Sequence, residues 1–134
     1  MIFGVTFCLK GNEKLNDSDN NIKIGAYVYP GWHACAERDS KFPPGWSEWD
    51  LVLNAPKRFS DHNQPRLPAD GSYDDSVSAT AQKQVGLARK YGVDFFVHSF
   101  FWSRGKRVFE AALDNGFLGA DGGGDFPFSL MWAN

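Results

Sequence analysis

The run VDFFVHSFFW at 93–102 constrains the fold of this chain more than any other segment. It is almost continuously apolar and lacks the polar–apolar alternation of a sheet that has one face in water. It therefore reads as a strand covered on both faces, as parallel sheets are. A helix is expected just before it, from about Val77 to Tyr91. Val77, Ala81, Val85, Ala88 and Tyr91 recur at helical spacing, Asp75 or Ser76 can cap the start, and Gly92 stands at C′. Two more strands are predicted, KIGAYVYP at 23–30 and FPFSLMW at 126–132. Gly105 reads as the opening of a second helix through about Asn115, with Val108, Phe109, Ala112 and Leu113 on its inner face. Gly116 ends it, and a glycine-rich loop from Gly119 to Asp125 leads to the last strand.

The expected order is β, long loop, α, β, α, β, and such alternation implies a parallel sheet. Three strands and two helices neither cover both faces of a sheet nor close a barrel. The expected class is therefore α/β, an incomplete (β/α)8 TIM barrel made of the first three parallel strands and two helices, with a long first βα loop. Its uncapped strand edges make it poorly stable alone. The polar, turn-rich GNEKLNDSDNNI at 11–22 reads as loop or leader. Residues 1–22 are thus expected to be a disordered or atypical leader, and 23–134 the N-terminal part of the barrel.

At 134 residues the chain is one domain or part of one. A net charge of −2 gives no electrostatic reason to expect a nucleic-acid partner. The basic residues come in scattered pairs, Lys57-Arg58, Arg89-Lys90 and Lys106-Arg107. Cys8 and Cys35 form neither a CxxC nor a metal-ligand spacing, so no metal and no cofactor is indicated. No run approaches the roughly 18 apolar residues of a membrane span. The opening MIFGVTFCLK lacks the basic start and small-residue cleavage site of a signal peptide, which leaves the compartment open.

The aromatic fraction is high, at 16%. Three of these residues, Trp46, Trp49 and Phe59, fall where no packed element needs them, in the loop GWSEWDLVLNAPKRFSDHNQPRLP at 45–68. Within that loop Ser47 reads as an N-cap with Asp50 three residues on, Trp46 faces Leu51 as a hydrophobic staple, and a short helix runs to about Asn54. In parallel α/β folds ligands bind beyond the carboxyl ends of the strands. Those ends carry Tyr29, Trp32 and His33, then His98, Ser99 and Trp102, then Trp132 and Asn134. The loop adds Trp46, Glu48, Trp49, His62 and Gln64. Aromatic rings cover the C–H faces of a sugar while His, Gln, Asn and Glu satisfy its hydroxyls, so this set points to a glycan site. Glycoside hydrolysis needs two carboxyl groups at a controlled separation, and Glu48 is the one placed for either role. Each residue also has a plainer reading. Glu48 can serve a helix dipole, His98 can be a satisfied core histidine, and Trp102 and Trp132 can be barrel packing.

Several blocks resemble the glycoside hydrolase family 99-like domain, also called the WbsX-type family of bacterial polysaccharide gene clusters. They are AYVYPGWH (26–33), GWSEW (45–49), HNQPRLP (62–68), GSYDD (71–75), KYGVD (90–94), FFW (100–102) and DFPFSLMWAN (125–134). The resemblance implies a (β/α)8 barrel, a glycan or polysaccharide substrate, and retaining endo-acting hydrolysis of mannose-containing or surface polysaccharides. It places the principal catalytic groups beyond Asn134, so this chain alone is expected to be inactive. Where relatives tend to carry a Tyr- and His-rich run before the tryptophan, this chain has Ser99, Phe100 and Phe101. Two rival readings are a non-catalytic glycan-binding fragment and a glycosyltransferase of polysaccharide synthesis.

Overall fold

A computed structural model describes residues 6–8, 22–119 and 123–133. Among the described residues the elements are β1 (Thr6–Cys8), β2 (Gly25–Val28), α1 (Ala36–Asp39), α2 (Glu48–Leu53), α3 (Ser78–Lys90), β3 (Phe95–Ser103), β4 (Lys106–Val108), a π-helical segment (Ala112–Phe117) and β5 (Phe128–Ala133). The three predicted strands are present. They run parallel, with β3 between β2 and β5, as the order of the sequence requires.

The sheet is nevertheless mixed. β1 pairs antiparallel with β5, and β4 pairs antiparallel with the end of β3. The sequence reading anticipated neither strand. β4 replaces the first turn of the helix expected from Gly105. Arg104 and Gly105 both have positive φ, at 52° and 80°, which is the backbone of a tight hairpin turn rather than of a helix start. The helical path resumes only after Phe109, which itself sits at φ 60°. β1 falls within the expected leader, most of which lies outside the described residues, as does Asn134.

α3 is the clearest link from sequence to packing. Its Ala81, Val85 and Ala88 are buried against Phe96 of β3, with Phe117 and Phe126 completing the core and Ala26, Val28 and Phe128 packed around it. Val77 and Tyr91, expected on the same face, point outward and are exposed. The helix ends as Gly92 predicts, because Gly92 takes φ 78° and the Val93 amide returns to the Ala88 carbonyl at 2.9 Å. Its start differs from expectation. Val77 is the N-cap and makes no side-chain cap, since Asp75 is engaged elsewhere and Asp74 accepts from the Ser76 amide and hydroxyl.

Over Phe95–His98 β3 alternates between half-buried and buried positions, and Trp102 and Ser103 at its end are exposed, so it is not covered equally on both sides. Phe96 and His98 face the helices, while Phe95, Val97, Ser99 and Phe101 face the other way. The helix-covered face is the only one closed deeply by described residues. No described helix is long and apolar enough to cross a membrane.

Candidate functional site

Strand β2 ends at Val28, and the next residues turn across the carboxyl end of the sheet. Tyr29 there meets α1 and α2. Its hydroxyl donates to Glu48 Oε1 at 3.0 Å, and Arg38 Nη2 donates both to Glu48 Oε1 at 2.6 Å and to the Tyr29 oxygen at 3.1 Å. Burial first, and then the neighbouring Glu48, push the Tyr29 phenol up from its usual value, so it stays a donor. The Arg38 guanidinium lies between two rings, 4.6 Å from Trp46 and 4.5 Å from Phe109. Trp46 in turn stacks on Phe42 at 4.1 Å, nearly parallel at 11°.

Each part of this node has a local cause. α2 begins with the predicted capping box. Ser47 Oγ accepts from the Trp49 amide, and Asp50 accepts from the Ser47 amide at 2.9 Å. That start fixes Glu48 in the first turn, where its own amide reaches the Gly31 carbonyl at 3.2 Å. Gly31 is needed because a Cβ there would overlap the Tyr29 ring and crowd the Glu48 side chain. The predicted Trp46–Leu51 staple does not form. Trp46 is held by Phe42 and Arg38, and Leu51 is exposed.

A second buried pair adjoins the node. His33 Nδ1 lies 2.5 Å from Asp75 Oδ1, while Asp75 Oδ2 accepts from the Trp32 amide at 3.2 Å. His33 Nε2 is buried without a hydrogen-bond partner among the described residues. Phe109 joins the two parts, with its ring near Tyr29, His33, Phe101 and Arg38. Trp49 is a support for this corner. Its indole donates to the Tyr73 carbonyl at 2.6 Å and packs against Trp32.

The predicted residues are not gathered into one pocket. Tyr29, His33, Trp46, Glu48 and Trp49 share the corner just described. His98 lies in the core, 4% exposed and packed on Phe117 and Phe128, and burial lowers its pKa to about 4. Trp102 and Trp132 stack at 5.9 Å beside Phe100, both partly exposed. Phe100 and Trp102 alternate with Phe101, so this pair belongs to the opposite face of β3 from the Tyr29–Phe101 contact. His62 is used within its own loop, where it stacks on Phe59 and accepts from the Arg58 amide. Gln64 precedes the cis Pro65 in that loop. Among the described residues no group of three or more His, Cys, Asp or Glu stands ready for a metal.

Three members of the corner were missed by sequence reading. Arg38 sits in an unremarkable charged stretch, and nothing local marks it. Asp75 was read as a cap although it lies in the GSYDD block, and Phe109 was placed inside a helix.

The chain belongs to the family described as Glycosyltransferase WbsX, whose model matches residues 24–134. It is similar to the uncharacterized protein WxcX of two strains of Xanthomonas campestris pv. campestris, with 36% identity over 110 residues in each. That alignment covers 81% of this chain and 16% of the relatives, so the chain spans about a sixth of their length. No solved structure matches.

Proposed function

We propose that this chain is the glycan-binding opening portion of a carbohydrate-active enzyme domain, with residues 23–134 forming the first third of a (β/α)8 barrel. The Tyr29–Arg38–Glu48 node beside the Phe42–Trp46 stack carries the reading. It offers the exposed ring of Phe42 to sugar C–H groups next to a fixed acceptor and a fixed donor, at the carboxyl end of the first parallel strand. The parallel order β2–β3–β5, with helices on one face, supports the barrel.

The reaction class we favour is glycoside hydrolysis, with the carboxyl pair supplied by strands beyond this chain. Within it Glu48 is committed to Arg38 and Asp75 to His33, so neither is free to act as one of a pair across a glycosidic bond. Sugar transfer is the second reading, favoured by the description of the family.

Binding is tested by titrating α-mannan and bacterial surface polysaccharides into this chain. Phe42→Ala is expected to weaken binding by about tenfold, by removing the exposed ring of the Phe42–Trp46 stack. Equal binding by the variant, or none by the native chain, overturns the site. In a protein of the relatives' length, release of reducing ends without a sugar nucleotide supports hydrolysis. A strict requirement for a sugar nucleotide supports transfer instead.

A further inference from the structure

Between α1 and the β3–β4 hairpin lies a cleft of about 490 Å3, and Arg38, Lys41, Arg104 and Lys106 line it. Four of the chain's 14 Lys and Arg residues thus meet in one place, in a molecule whose net charge is −2. Two of the four are neutralised, Arg38 by Glu48 at 2.6 Å and Lys106 by Glu37 at 2.7 Å. Lys41 and Arg104 have no ion pair among the described residues. Arg38 is nine-tenths buried, and its Nη1 has no hydrogen-bond partner among the described residues although its Nη2 has two. A buried guanidinium nitrogen left unpaired is costly unless something accepts from it.

Placement strengthens the case. The hairpin turn projects Arg104 at the end of β3, beyond the carboxyl edge where parallel sheets bind ligands. The Ser40 and Ser103 side chains add hydroxyls to the lining, while Phe42 and Phe109 supply apolar walls. Arg38 belongs both to this cleft and to the Tyr29–Glu48 node, so the two share a wall.

We propose that this cleft holds an anionic substituent of the saccharide, a uronate carboxylate or a phosphate ester. Lys41 and Arg104 supply the unmatched positive charge, and Arg38 anchors the floor. The anion site rests on the saccharide reading only for what carries the charge. The cationic cleft stands without it.

The test follows backbone amide shifts of the full chain on adding glucuronate, glucose 1-phosphate, inorganic phosphate or glucose. The expected result is a saturable shift at Lys41, Arg104 and Phe109 with the sugar acids and not with glucose. The double variant Lys41→Ala/Arg104→Ala, both positions exposed, is expected to lose at least tenfold in affinity at unchanged melting temperature. A response to glucuronate or to glucose 1-phosphate identifies which acid the cleft prefers. Equal response to inorganic phosphate supports the anion site and counts against a saccharide carrier. Shifts spread evenly over Lys57, Arg58 and Arg89, or undiminished affinity in the double variant, overturn the proposal. Neutral glycans that bind at the Phe42 ring while no anion shifts Lys41 and Arg104 overturn this proposal alone.

Discussion

Arg38 is a charge taken out of water, and its surroundings show what makes that tolerable. Glu48 provides the opposite charge, Tyr29 an acceptor, and Trp46 and Phe109 two polarisable faces. His98 shows the other solution. It is buried among Phe96, Phe117 and Phe128 with its Nε2 unpaired among the described residues, and it is accommodated by remaining neutral. The unfolded chain protonates His98 near the ordinary 6.5, whereas the folded one resists until about 4. Between those values the unfolded state binds more protons, so stability falls as pH drops from 6.5 to 4 and the loss saturates below. Its full size is about 3 kcal/mol. Urea unfolding at pH 7 and at pH 4 is expected to show this loss in the native chain and not in His98→Leu. An equal pH dependence in both proteins would show that folded His98 already accepts the proton.

Among the elements, α2 is only six residues long and depends on its first turn. A helix this short does not hold itself, so the Ser47–Asp50 box carries much of its definition. Ser47→Ala is expected to lower stability by about 1 kcal/mol. The same change is expected to raise amide exchange at Glu48 and Trp49, because their turn loses its anchor. Unchanged exchange there would mean that the Trp49–Tyr73 and Glu48–Arg38 contacts suffice to hold the turn. The capping box was legible because it is a local code, written within four residues. The hairpin at Arg104-Gly105 was equally local but was misread, since a glycine before an apolar stretch fits a turn as well as a helix entry. Val108 and Phe109 match either period over so short a run.

At the scale of the molecule, the sheet formed by the described residues has one open edge and one filled edge. Among the described residues β2 pairs only with β3, and beside it a cleft of about 590 Å3 is lined by Tyr27, Leu87 and Tyr91, all exposed. The far edge of β5 is occupied by β1, where barrel growth would place the next parallel strand. If the barrel proposal holds, a chain of the relatives' length has β2 flanked by parallel strands on both sides and β1 displaced from β5. A structure of that longer protein with β2 still unpaired on its outer edge, or β1 still on β5, would rule the barrel out.

The sequence by itself determined the three parallel strands, the span and C-terminal stop of α3, the capping box of α2 and membership of a carbohydrate-related family. Each of these is written in neighbouring residues or in a short period, which local backbone energetics can read. Only the tertiary structure decided that His33 meets Asp75, 42 residues away, and that Arg38 meets Glu48. It also sent Trp102 and Trp132 to the face of β3 opposite Phe101. Such pairings depend on how whole elements approach one another, and no local pattern encodes the distance between side chains that the chain brings together only when it folds.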